Sequence, residues 1–226
     1  MRIVHGDLAH ARSPVAVGHY RGDTIVSAEA YLDRVLGGRL RQRQRLGLYP
    51  GALDTAEVFL TETADRRSSN EHPGAIVLGL GDVGELAPGT LASGFARAAV
   101  MYAAARFELA RQRDGTGNQP ATRNARISTS LTTLLIGTGA GGFGVADSVQ
   151  SLLRGALRAN ERLQLLAAPE IVDTQGAKRN NRSDEARGPD TISIDELEIV
   201  ELYEDRAIQA VKAMLDFGTG SAARGS

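Results

Sequence analysis

A stretch rich in Ile, Leu and Thr, Ile127–Ile136, runs straight into Gly137-Thr138-Gly139-Ala140-Gly141-Gly142-Phe143-Gly144 and then into a helix-patterned segment from Val145 to about Leu165. This order predicts a strand, a glycine-rich turn and a helix N-terminus, the unit from which α/β layer folds are built. It also predicts an anion site. Glycine puts no Cβ between the backbone N–H groups and a phosphate, and the dipole of the following helix favours negative charge there.

The rest of the chain repeats the alternation. Strand-like runs lie at Pro14–Tyr20, Ala56–Thr61, Ala75–Leu80 and Leu197–Leu202. Ala75–Leu80 is apolar throughout, as in a strand covered on both faces. Helical periodicity marks Ala28–Leu36, which stops at Gly37-Gly38, and a segment from about Thr90, a candidate N-cap, to about Ala110. It marks Asp205–Phe217 as well. Two polar stretches, Arg111–Arg126 and Asp173–Asp190, read as surface loops, and Gly218–Ser226 as a linker-like tail. The expectation is one three-layer α/β domain over residues 1–217, a mixed, mostly parallel sheet between helices.

Composition narrows the function classes. Lys+Arg 26 against Asp+Glu 27 gives a net charge of −1, which removes a general electrostatic case for nucleic acid or an anionic membrane surface. There is no Cys, hence no disulfide frame, thiolate nucleophile or cysteine-bound zinc. No apolar run approaches the roughly 20 residues of a membrane span, and Met1–His10 carries no signal-peptide pattern, so a cytoplasmic protein is expected.

Gly137, Gly139 and Gly142 satisfy G-x-G-x-x-G after a strand and before a helix. A dinucleotide site also needs an acidic residue at the end of the next strand. Asp173 is the candidate, further along than usual, and the motif falls late in the chain. A second glycine loop, Gly79-Leu80-Gly81-Asp82-Val83-Gly84-Glu85, follows the Ala75–Leu78 strand. If the two strands are parallel neighbours, both loops face one ligand, with Asp82 and Glu85 opposing a phosphate at the earlier loop. Glycines that merely permit tight turns are the alternative for either loop.

Together these residues resemble a macro domain, the fold shared with the N-terminal domain of leucyl aminopeptidases. The strand and G-[TV]-G-x-x-G-F-type loop of that family are matched without a gap by Ile136–Phe143. Leu32-Asp33-Arg34-Val35-Leu36-Gly37-Gly38 is similar to the aminopeptidase helix end, Gly47–Gly51 with Ala56–Leu60 to its next turn and strand, and Val77–Gly81 to its G-L-G step. The likeness spans Pro14 to Leu165. It implies a nucleotide ligand such as ADP-ribose on Gly137, Thr138, Gly139, Ala140, Gly141, Gly142 and Phe143, with Phe143 stacking on a ring or packing under the helix. Gly22-Asp23 is similar to the family's Gly-Asp, which implies that Asp23 contacts adenine. Gly18–Thr24 and Glu201–Ala207 also resemble a module of large bacterial proteins with a CHAT-type peptidase or a hydrolase domain, which implies an associated effector. The aminopeptidase motif N-T-D-A-E-G-R and the macro-domain Asn-Ala-Ala-Asn stretch are absent.

Other chemistry is thin. His5, Asp7 and His10 are close in sequence, with ordinary polar surface as the alternative to a metal site. His19 and Asp23 form a candidate acid–base pair, unless Asp23 or Thr24 caps a turn. Glu196, Glu198, Glu201, Glu204 and Asp205 surround the last strand run. Alternation sends Glu198 and Glu201 to opposite faces, which predicts a polar-ended edge strand and Asp205 as an N-cap. No nucleophile elbow and no P-loop are present. Three readings follow: a non-catalytic ligand-sensing or assembly module, an enzyme acting on ADP-ribose or a dinucleotide, and a structural domain that forms a homo-oligomer.

Overall fold

The computed structural model describes residues 1–61, 73–115, 126–167 and 191–222. Among these residues, six strands form one sheet in the order β1-β6-β5-β2-β4-β3. They are β1 (Arg2–His5), β2 (Val15–His19), β3 (Ala56–Leu60), β4 (Gly74–Gly79), β5 (Arg126–Thr133) and β6 (Thr191–Glu201). All adjacent pairs are parallel except β3 with β4. The fold is therefore α/β with a mixed, mostly parallel sheet.

Alternation along β2 and β4 divides the core. Val15, Val17, Ala75 and Val77 meet Leu32, Leu36 and Leu40 of helices α1 (Ser27–Val35) and α2 (Arg39–Arg45) and the turn between them. Ala16, Ile76 and Leu78 turn to the other face, with α3 (Pro88–Gly115), α4 (Val145–Ala167) and α5 (Glu204–Ala222). Both faces of β4 are thus buried, which is why its sequence lacks polar residues. Small residues let the helices on this face approach closely. A Cβ on Gly155 of α4 would stand 2.8 Å from the Ala92 carbonyl of α3. Ala207, Ala210 and Ala213 of α5 are buried.

Several boundaries differ from the sequence expectation. Strand β1 and helix α2 are additional elements. Helix α3 begins at Pro88, and Thr90 lies in its first turn, where its hydroxyl accepts from the Ala87 N–H and donates to the Ala87 carbonyl. It continues through Gly115, so the first part of the expected 111–126 loop is helical; 116–125 lie outside the described residues, as do 168–190 with Asp173. Strand β6 is internal, between β1 and β5, not an edge. Helix α5 starts at Glu204, which puts Asp205 inside its first turn, and it runs to Ala222, beyond the expected end at Phe217.

Candidate functional site

In a parallel sheet the loops that leave the strands' carboxyl ends share one edge. Here that edge carries Tyr20–Asp23 after β2, Leu80–Glu85 after β4, Leu134–Gly144 after β5 and Leu202–Tyr203 after β6. Strands β4 and β5 are not neighbours; they flank β2, and the two glycine loops stand on either side of it.

The loop after β4 is closed on itself. The N–H groups of Gly79, Leu80 and Gly81 donate to the carbonyls of Thr55, His19 and Gly51 at 2.8–2.9 Å. The Asp82 N–H donates to the Glu85 carboxylate at 2.9 Å. A Cβ on Gly79 would collide with the Ala52 carbonyl, and one on Gly81 with the Glu85 carboxylate. Tight packing accounts for both glycines.

The loop after β5 is built the other way. Gly137 has φ +86° and Gly142 φ +67°, the left-handed region that glycine enters without strain. The Phe143 N–H donates to the Gly137 carbonyl at 3.0 Å, and the Gly142 N–H to the Gly139 carbonyl at 3.1 Å. Ser148 in the first turn of α4 donates its hydroxyl to the Ile136 carbonyl at 2.7 Å, tying helix to loop. The Phe143 ring packs where a Cβ of Gly137 would stand, 2.9 Å away. Among the described residues, no hydrogen bond engages the N–H groups of Thr138, Gly139, Ala140 and Gly141. Gly139 and Ala140 are exposed, and a Cβ on Gly139 would meet open space. Packing thus accounts for Gly137 and Gly141 but not for Gly139.

Two side chains to which the sequence pattern assigned no role flank this loop. Arg206, from the first turn of α5, donates to the Thr138 hydroxyl, and its Nε lies 3.6 Å from Glu201 at the end of β6. The Glu201 carboxylate also accepts from the Tyr203 N–H at 3.0 Å. A guanidinium is therefore held at Thr138, the first of these four residues. Tyr20, one residue past β2, is buried, and its hydroxyl has no hydrogen-bond partner among the described residues. A Cβ on Gly141 would collide with that hydroxyl. Burial pushes the Tyr20 phenol up. A buried hydroxyl without a partner costs about 1–3 kcal/mol. Both residues lie in segments noted above only for their resemblance to a module, Gly18–Thr24 and Glu201–Ala207; the topology, which brings the ends of β2, β5 and β6 to one edge, puts them at this loop.

His19 faces the opposite side of the sheet. Its Nδ1 lies 3.0 and 3.2 Å from the two carboxylate oxygens of Glu29 on α1, not against Asp23. Tyr49 donates to the same carboxylate at 2.7 Å and meets the imidazole edge-on, with ring centroids 4.8 Å apart. Burial and the Glu29 charge push the Tyr49 phenol well above its ordinary value. Asp23 is exposed, and its carboxylate accepts from the Thr24 N–H at 2.7 Å. His5 approaches the Leu202 carbonyl at 3.1 Å, whereas Asp7 accepts from the Ala9 N–H at 2.7 Å, so those two do not converge. Glu198 is paired with Arg2. No cluster of three His, Asp or Glu side chains suited to a metal occurs among the described residues. No helix there is long and apolar enough to cross a membrane.

No protein-family model matches the sequence, and no curated protein matches it. The structure is similar to solved macrodomains. The Trypanosoma brucei macrodomain in complex with ADP is 13% identical at a TM-score of 0.49, covering 94% of this chain and 67% of that one. The Oceanobacillus iheyensis macrodomain with ADP is 12% identical at a TM-score of 0.47, covering 95% and 90%. The same macrodomain with MES bound is 13% identical at 0.46, covering 95% and 91%.

Proposed function

We propose that the protein is a ligand-sensing module that holds a phosphate-bearing nucleotide, ADP-ribose foremost, on the loop Gly137–Phe143 and serves an associated effector domain. The observation that carries this reading is the run of four unengaged N–H groups, Thr138 to Gly141, ahead of helix α4. Arg206 beside them supplies positive charge, and the exposed Gly139 lets a ligand approach the backbone. Asp23, exposed in the loop after β2, is the candidate contact for the nucleoside end. Gly79 and Gly81 shape the neighbouring turn in this reading and give no amide to the ligand. The His19–Glu29 pair, buried on the other face of the sheet, offers the loop no acid or base, which supports binding without turnover; an enzyme acting on ADP-ribose is the alternative reading.

The test is thermal unfolding with ADP-ribose, NAD, ATP and cyclic nucleotides, on the wild type and on Gly139→Val. A ligand at about 100 times its dissociation constant adds about 2.7 kcal/mol of stability. The reading expects a rise in Tm with at least one of these ligands, lost in Gly139→Val, whose unliganded Tm stays near that of the wild type. ADP-ribose recovered unchanged after incubation separates binding from catalysis. No shift with any member of the panel overturns the nucleotide reading.

A further inference from the structure

We propose that Tyr20 is a direct ligand contact of the β5–α4 loop, its hydroxyl donating to a phosphoryl oxygen of the molecule seated on the Thr138–Gly141 amide groups. The inference rests on the nucleotide reading and deepens it, because it names the chemistry the ligand must present: an anionic oxygen acceptor deep in the loop, not only a ring at its mouth. Three observations lead there. The hydroxyl is buried, with the residue 8% exposed, and it has no partner among the described residues. It abuts Gly141, where no side chain intervenes. The same Gly139–Gly141 segment has its N–H groups unengaged among the described residues. Phenylalanine would fill the same space without burying a polar atom. The hydroxyl is therefore unexplained by the fold, whereas a phosphoryl oxygen lodged between it and the loop amides gives it the acceptor it lacks. Gly137 and Gly142, both at positive φ, bracket the segment that has to shift to admit that oxygen.

Tyr20→Phe, studied by calorimetric titration with ADP-ribose and with inorganic pyrophosphate, tests this. The expected result is binding of both probes about tenfold weaker than in the wild type, the loss of one hydrogen bond to a charged acceptor. The Tm of the unliganded variant is expected to equal or exceed that of the wild type, since no native hydrogen bond is removed. The chain has no Trp and five Tyr, and pyrophosphate does not absorb in the tyrosine band, so with that probe the ligand-induced tyrosine difference absorbance is expected to shrink in the variant by the share due to Tyr20. Binding within twofold of the wild type overturns the assignment and leaves the nucleotide reading standing. A variant clearly less stable without ligand overturns it as well, since the hydroxyl then has a structural partner. A wild type that binds neither probe overturns the assignment, and the nucleotide reading falls with it only when NAD, ATP and cyclic nucleotides also fail to bind.

Discussion

Arg206 reaches across 68 residues of sequence to donate a hydrogen bond to Thr138, pinning the loop after β5 to the helix that follows β6. Its Nε stays within 3.6 Å of Glu201, so one guanidinium serves both a carboxylate and the loop. On the nucleotide reading, Arg206→Met weakens ADP binding about tenfold and reduces its dependence on salt. Because the side chain is 31% exposed, the loss of folding stability stays small, below about 1 kcal/mol. Titrations at two ionic strengths check the first effect and urea unfolding the second.

The glycines of the two loops separate by what surrounds them. Gly141→Ala drives a methyl into the Tyr20 hydroxyl and the Gly137 carbonyl, and Gly79→Ala into the Ala52 carbonyl and Thr55. Each is expected to destabilise by about 1–3 kcal/mol. Gly139→Ala points into open space and stays within about 0.5 kcal/mol. Urea midpoints of the three variants check this ordering; a Gly139→Ala as unstable as Gly141→Ala contradicts the loop conformation described above.

The cluster of buried His19 and Glu29 with half-buried Tyr49 makes stability depend on alkaline pH. Folding raises the Tyr49 phenol above its unfolded value of about 10, through burial and the Glu29 charge. A group whose pKa rises on folding contributes stability that is fully present below the unfolded value. That contribution is lost as the pH climbs above it. Stability therefore falls above about pH 10, and Tyr49→Phe flattens the decline while lowering stability at neutral pH. Tyr20, raised by burial alone, adds to the same decline. Unfolding free energies between about pH 7 and 11 for wild type and variant measure the difference.

Asn160 on α4 repairs an irregularity in the sheet. Between Thr129 and Ser130 the pairing of β5 with β6 shifts by a residue. Beside it the Asn160 amide donates to the Ile194 carbonyl and accepts from the Ile194 N–H, both at 2.9 Å. Asn160→Ala strips both partners from a buried backbone position and is expected to cost about 1–3 kcal/mol or more. Asn160→Asp keeps the acceptor and loses the donor, and in a urea titration it falls between the wild type and Asn160→Ala.

The parts of this fold that a one-dimensional reading reaches are those whose side chains announce their surroundings. Strand β4 is apolar on both faces, and α4 carries a stripe at Val149, Leu152 and Leu163, so burial is written into each. Helix α2 escapes because only Leu40 of its seven residues is buried, and three of its four arginines are engaged individually: Arg41 by Asp33, Arg43 by Glu57, Arg39 over the Phe59 ring. Strand β1 escapes because it is four residues long with exposed ends. The end of α3 escapes because Arg111 and Gln112 are both exposed and leave no apolar period to follow. At the candidate site, the glycines stand out in the sequence but their roles do not. Which amides are engaged depends on Thr55, His19 and Gly51, and which side chains flank the loop depends on strand order.

Among the described residues, strand β1 pairs only with β6, and Arg2 meets Glu198 across 196 residues of sequence. During synthesis at about 5–20 residues per second, β1 leaves the ribosome roughly 10–40 s before the strand that receives it. Over that interval Ile3 and Val4 have no β6 to pair with, whereas β2, β3 and β4, which pair with one another in the sheet, are all made by residue 79. Completion of the sheet is thus a late event of biogenesis, in which β6 slides between β5 and a strand that has been waiting since long before it was made.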